Sequence, residues 1–246
     1  MRDDQALGLR RLFARRRTRL LGVIGEDNTA VALELARAFG ALDYRVLMLD
    51  RTCGDATQRL GLRARWELKH ALAGERRLVD VALLGPPNVV VLPAARALAA
   101  LEAAAAAQWL PLCGRLDDAL GPFDVMLVNG PPPALQDANV LLTLAPTATA
   151  VTRAYTDLKM LSRRGVPRRC DILVHRARSE AAALDAFDSV AITAGRFLGM
   201  SLALAGSLPG APGRILGSDP RRAAAAALIA DRLVRDPLPE PKAVNL

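Results

Sequence analysis

The stretch Leu20-Leu21-Gly22-Val23-Ile24-Gly25-Glu26-Asp27-Asn28-Thr29, continued by Ala30 to Gly40, decides the fold. Leu20 to Ile24 is a short unbroken apolar run, the pattern of a strand buried on both faces. Gly25 to Asn28 interrupts it, and from Thr29 to Gly40 the apolar residues recur at helical spacing. A second run, Arg45 to Leu49, ends at Asp50. Strand, turn, helix and strand in that order open a parallel sheet.

The same alternation continues outward. Trp66 to Gly74 reads as helix, Asn88 to Leu92 as strand and Ala94 to Gln108 as an alanine-rich helix. Phe123–Val128 and Val140–Leu144 are short buried strands. Thr147–Arg163 is a helix, Asp171–His175 a strand, Glu180–Leu198 a helix, Leu202–Ser207 a strand and Asp219–Val234 a last helix. The pattern predicts an α/β fold: a doubly wound, mainly parallel sheet flanked by helices, in one domain over residues 20–235. Residues 1–19 form a basic arm, and residues 236–246, with three prolines, a loose tail.

Composition excludes other classes. With 246 residues, 52% hydrophobic and 24% charged, the chain is neither fibrous nor disordered. Its net charge of +8 comes from 33 basic residues, of which only Lys69, Lys159 and Lys242 are lysine. The arm alone carries seven arginines and two aspartates. Within it, Ala6, Leu9, Leu12 and Phe13 share one face of a helix over Asp4–Phe13, with a basic face opposite. Cys53, Cys113 and Cys170 lack both a disulfide framework and metal spacing and read as ordinary thiols. No apolar segment follows Met1, which predicts no secretory signal and a cytoplasmic chain. The apolar stretch from Val79 to Leu112 is cut by Gly85, Pro86, Pro87, Pro93, Arg96 and Glu102, so it does not read as a membrane span.

The first strand-to-helix turn is where a phosphate-binding loop would lie, with backbone N–H groups and a lysine around the anion. Here only Gly22 and Gly25 remain, Glu26 and Asp27 bring negative charge, and no lysine precedes Lys69. Thr29 could offer a hydroxyl to a metal, but reads more simply as a first-turn helix residue. Asp50, at a strand's carboxyl end, is either a site carboxylate or a structural cap. His175 is a pH-sensitive group or, more simply, a strand-end histidine satisfied by hydrogen bonds. Arg15-Arg16-Arg17 reads as solvated arm as readily as a lipid or nucleic-acid contact.

Several segments, in order, resemble the MinD/ParA-type ATPases and, within them, the FlhG (FleN) flagellar regulators. Asp4-Gln5-Ala6-Leu7-Gly8-Leu9-Arg10 is similar to the D-Q-A-x-x-L-R element with which that family contacts and stimulates FlhF, a signal-recognition-type GTPase. Arg45-Val46-Leu47-Met48-Leu49-Asp50 resembles its R-V-L-L-L-D strand. Leu72-Ala73-Gly74-Glu75 and Val89-Val90-Val91-Leu92-Pro93-Ala94 match the next two blocks. Leu144-Ala145-Pro146-Thr147, with Ala154-Tyr155 and Lys159, resembles the P-E-P-T…A-Y…K block. Against that family the phosphate lysine falls at Asn28 and the second aspartate of D-x-D at Thr52. The magnesium-associated aspartate falls at Asn129 and the adenine-recognising asparagine at His175.

Phosphoryl transfer rests on positioning and charge stabilisation by those parts, so their joint loss implies a pseudo-ATPase with no bound cofactor. The resemblance then implies a regulator of flagellar number and placement. It would dock on an FlhF-type GTPase through Asp4, Gln5, Ala6, Leu9, Arg10 and Phe13, with other flagellar regulators as further partners. Weak or no membrane binding is expected, because the prolines after Val234 preclude the family's terminal amphipathic helix. An alternative keeps ATP and Mg at an atypical loop with Thr29 and Asp50 and a monomer–dimer switch. A nonspecific DNA binder ranks last, since no aromatic residues interleave the arginines.

Overall fold

The computed structural model describes residues 18–103, 108–165, 167, 169–210 and 219–235. The strands are β1 (Arg19–Gly25), β2 (Val46–Asp50), β3 (Leu83–Leu84), β4 (Val89–Pro93), β5 (Val125–Val128), β6 (Asn139–Leu144), β7 (Arg169–Ala177) and β8 (Ala203–Pro209). The helices are α1 (Asn28–Ala41), α2 (Asp55–Arg59), α3 (Leu68–Leu72), α4 (Leu78–Val81), α5 (Ala95–Ala103), α6 (Trp109–Leu120), α7 (Ala148–Arg164), α8 (Glu180–Leu198) and α9 (Pro220–Arg235).

One eight-stranded sheet in the order β3-β4-β2-β5-β1-β6-β7-β8 carries them all. Every pairing is parallel except β3 with β4, an antiparallel edge. The sheet is the doubly wound one that the alternating runs predict.

Side chains of each strand alternate between two faces, which divides the core. Val46 and Met48 of β2 face α1 and α9, with Leu21, Val23 and Phe39. Leu47 and Leu49 face α3 to α6, against Leu68, Leu98 and Leu116. On that second side, Val140 and Leu142 of β6 meet α7 and α8. Burying each such side chain stabilises the fold by about 1.5–3 kcal/mol relative to leaving it in water.

Local chemistry sets the helix ends. The Thr147 hydroxyl accepts from the Ala150 N–H at 3.2 Å and starts α7, and Ser179 does the same for Ala182 at the head of α8. Gly199, with φ of 63°, terminates α8 in the left-handed conformation that glycine adopts freely.

The elements differ from the sequence reading in several places, and the short helices α2 and α4 have no counterpart in it. The helix expected over Trp66–Gly74 is the short α3, because Glu67 caps its start and its carboxylate also accepts from the Arg96 N–H. The helix expected over Ala94–Gln108 is described as Ala95–Ala103, and a separate helix begins at Trp109. Pro111 lies in the first turn of α6, where its missing N–H breaks no helical bond. The antiparallel β3 has too few residues to show a period.

The chain crosses from β1 through α1 to β2 on one side and returns after β5 to β6 on the other. Strand order therefore reverses at β1. The carboxyl ends of β1, β2, β5, β6 and β7 border the crevice where open α/β sheets bind ligands.

Candidate functional site

The turn at the carboxyl end of β1 is two residues long: β1 ends at Gly25, α1 begins at Asn28, and only Glu26 and Asp27 lie between. Gly25 has φ of +98°, and a Cβ there would lie 2.3 Å from the Thr143 carbonyl oxygen. That close approach lets the Glu26 N–H donate to the Thr143 carbonyl at 3.0 Å. The Thr143 hydroxyl, 2.9 Å from the Ile24 carbonyl, also lies within bonding distance of the Glu26 carbonyl. Asn28 folds back, its amide donating to the Val23 carbonyl at 3.3 Å and its carbonyl accepting from the Thr29 N–H at 2.9 Å. Two backbone donors of the turn, the N–H groups of Glu26 and Thr29, are thus already bonded within the protein.

Two carboxylates face this end of α1. Asp27 is ion-paired with Arg176, and Glu26 Oε1 lies 3.6 Å from Arg176 Nη1. His175 is fully buried next to them, with Nδ1 3.9 Å from Asp27 Oδ2. Neither ring nitrogen has a hydrogen-bond partner among the described residues, which corrects the reading of a satisfied strand-end histidine. Burial holds the His175 imidazole below its usual range, against the opposite pull of Asp27 and Glu26. Farther along, Arg222 of α9 donates through Nε to both oxygens of Glu34 at 2.8 Å and through Nη1 to the carbonyls of Pro209 and Gly210.

Asp50, Thr52 and Asn129 come together at the ends of β2 and β5. Asp50 Oδ1 accepts from the Thr52 N–H at 2.9 Å, the Thr52 hydroxyl at 2.6 Å and the Asn129 amide at 3.0 Å. Asn129 Oδ1 accepts from the Arg51 N–H at 2.6 Å. The arrangement fits the capping reading of Asp50, although its buried Oδ2 has no hydrogen-bond partner among the described residues. Thr29 is buried in the first turn of α1, as expected.

Beside the turn lies a cleft of about 440 Å³ lined by Gly25, Asn28, Gly130, Pro131 and the Arg153, Asp157 and Arg164 side of α7. Arg51 and Arg164 both bind Glu102 at its rim. Burial pushes the Glu102 carboxyl up, yet hydrogen bonds from the two arginines bring it below the usual carboxylate range. Asp157 is raised by burial, against the pull of Arg153.

The chain is 29% identical over 196 residues to the antiactivator FleN of Pseudomonas aeruginosa, covering 75% of this chain and 70% of that protein. Its structure is similar to the MinD cell division protein of Aquifex aeolicus with a TM-score of 0.66, 16% identity, and coverage of 90% of this chain and 99% of that one. The fold is that of the MinD/ParA proteins. The likeness to FleN supports membership of that family. Cobyrinic acid a,c-diamide synthase of Mycobacterium smegmatis, solved with ADP and magnesium, matches 89% of this chain and 94% of its own with a TM-score of 0.60 and 20% identity. No family model matches.

On the MinD/ParA frame the structure brings Gly25, Asn28, Thr29, Asp50, Thr52, Asn129 and His175 to the carboxyl edge of the sheet. They form two clusters, around Asp27–Arg176–His175 and around Asp50–Thr52–Asn129. Asp4, Gln5, Ala6, Leu9, Arg10 and Phe13 lie outside the described residues, as do residues 236–246. The sequence reading missed Arg176, Glu34, Arg222, Arg51 and Glu102, because their pairings join residues distant in the chain. Among the described residues no cluster of His, Cys, Asp and Glu could hold a metal ion, and no helix is long and apolar enough to cross a membrane. Burial pushes the Cys113 and Cys170 thiols up to about 12, with Asp117 and Asp171 adding to it. Raised in this way, neither has the character of an activated thiolate, in line with the reading as ordinary thiols.

Proposed function

We propose that this protein is an FlhG-type regulator of flagellar number and placement that hydrolyses no ATP itself. It presents Asp4–Phe13 to an FlhF-type GTPase and stimulates that partner's hydrolysis. The likeness to an antiactivator along 75% of the chain supports the regulatory part. The observation that carries the non-hydrolysing part is the two-residue turn, whose Glu26 and Asp27 are both paired with Arg176. A phosphate there meets two carboxylates and no lysine, and the N–H groups of Glu26 and Thr29 are already bonded within the protein. ATP and magnesium do not suit such a turn.

One observation favours the rival reading of an active ATPase: the unpartnered Oδ2 of Asp50, which a metal-bound water would satisfy. Turnover by the purified full-length chain with Mg-ATP separates the two. We expect no turnover and an unchanged melting midpoint, since only a ligand that binds the folded state raises it. Turnover that Asp50→Ala abolishes would overturn the proposal.

A further inference from the structure

We infer that Asp27 and Arg176 form a strained latch over the β1–α1 turn, and that protonation of His175 releases it. Asp27 has φ of 53° and Arg176 φ of 60°, both left-handed. A Cβ disfavours that region, and arginine lacks the short polar side chain that eases it for aspartate. Arg176 also lies at a register shift between β7 and β8, across His175 and Ala177. Two strained residues thus face each other, joined by a salt bridge. The inference does not rest on the docking or the non-hydrolysing reading.

His175 lies beside this pair, fully buried, and neither ring nitrogen has a hydrogen-bond partner among the described residues. Its Nδ1 is 3.9 Å from Asp27 Oδ2, the same oxygen that Arg176 binds. Neutral imidazole leaves the salt bridge alone. Protonated imidazole is a buried cation that needs a counter-ion, and it competes for that oxygen. The other charges facing it are Glu26 of the turn, which attracts it, and Arg176 of β7 and Arg222 of α9, which repel it. Arg222 is itself held by Glu34 of α1. Asp27 rotating toward His175 satisfies the new cation and frees Arg176 to leave its strained conformation. Burial favours the neutral form, so the latch is shut at neutral pH and opens as pH falls below the ordinary histidine value of about 6.5.

Hydrogen exchange of the full-length protein, read on a peptide covering Gly25–Val31 and corrected for intrinsic rates, tests this. Between about pH 7.5 and about pH 5.5 the wild type should exchange severalfold faster, up to about tenfold, the most that one linked proton with an ordinary open-state value of about 6.5 gives over that interval. His175→Asn should stay slow at both pH values, Asp27→Asn fast at both, and His70→Asn should behave as wild type. Equal protection of the wild type at both pH values would overturn the latch, as would the full acid response in His175→Asn. Should His175→Asn fail to fold, Asp27→Asn decides: a retained slow-to-fast transition would equally overturn it.

Discussion

Arg222 carries the heaviest polar burden of any single side chain described. It is nearly buried, with side-chain exposure of 6% against 14% for Glu34, and it ties α9 to α1 and to the end of β8. A buried ion pair adds little over a well-packed apolar pair, but removing one partner strands the other charge. Arg222→Met should therefore cost about 3–5 kcal/mol in urea unfolding, since Glu34 and two carbonyls lose their donor. Glu34→Gln should cost less, because a neutral amide still accepts from Nε. Equal losses from the two substitutions would show that packing, and not charge, holds the joint.

Among elements, the clamp of Arg51, Glu102 and Arg164 joins the β2 end, α5 and α7. Arg51 also donates to the Pro131 carbonyl at 3.1 Å, which fixes the segment after β5. Glu102→Gln should destabilise by about 1–2 kcal/mol at neutral pH, discounted for partial exposure of the arginines. The carboxyl is held below its usual range, so its stabilisation is full above the ordinary glutamate value, about 4.3, and is lost as pH falls through the folded value. The difference in urea midpoint between wild type and Glu102→Gln should accordingly shrink toward zero in acid. A difference that persists there would assign the effect to packing.

This clamp also shows where the reading of elements from sequence stops. Strand runs such as Val46–Leu49 and caps such as Thr147 and Ser179 are local signals, and the sheet follows from them. Asn28, Thr29, Asp50, Asn129 and His175 were legible as crevice residues because strand ends can be counted. Nothing near Glu102 in sequence announces Arg51 or Arg164, which are 51 and 62 residues away. Nor does the sequence around His175 show that its nitrogens go unpartnered, which depends on how the turn from another strand packs over it.

At the scale of the whole molecule, the described chain begins at the end of β1 opposite the crevice. The described chain enters the sheet at Thr18 and Arg19, whose hydroxyl and N–H donate to the carbonyls of Phe123 and Asp124 at 2.9 Å. Arg19 also donates to the Leu233 carbonyl, so the root of the arm is tied to α9. The crevice begins at Gly25, seven-residue β1 away, or roughly 20 Å at about 3.3 Å per residue. If residues 4–13 dock on a partner, their apolar side chains should matter to partner binding and not to folding. Leu9→Ala or Phe13→Ala should leave the melting temperature nearly unchanged, while weakening a complex with an FlhF-type GTPase by ~2 kcal/mol or more, about thirtyfold in affinity. Gln5→Ala should spare binding and reduce stimulation, since a polar group at a catalytic site acts mainly on the transition state. If the segment instead packs on its own sheet, Leu9→Ala should lower stability by roughly 2–5 kcal/mol. A peptide of residues 1–19 would then fail to stimulate the GTPase. One melt and one peptide assay separate these outcomes, because a side chain seated in its own core is not free to fill a partner's groove.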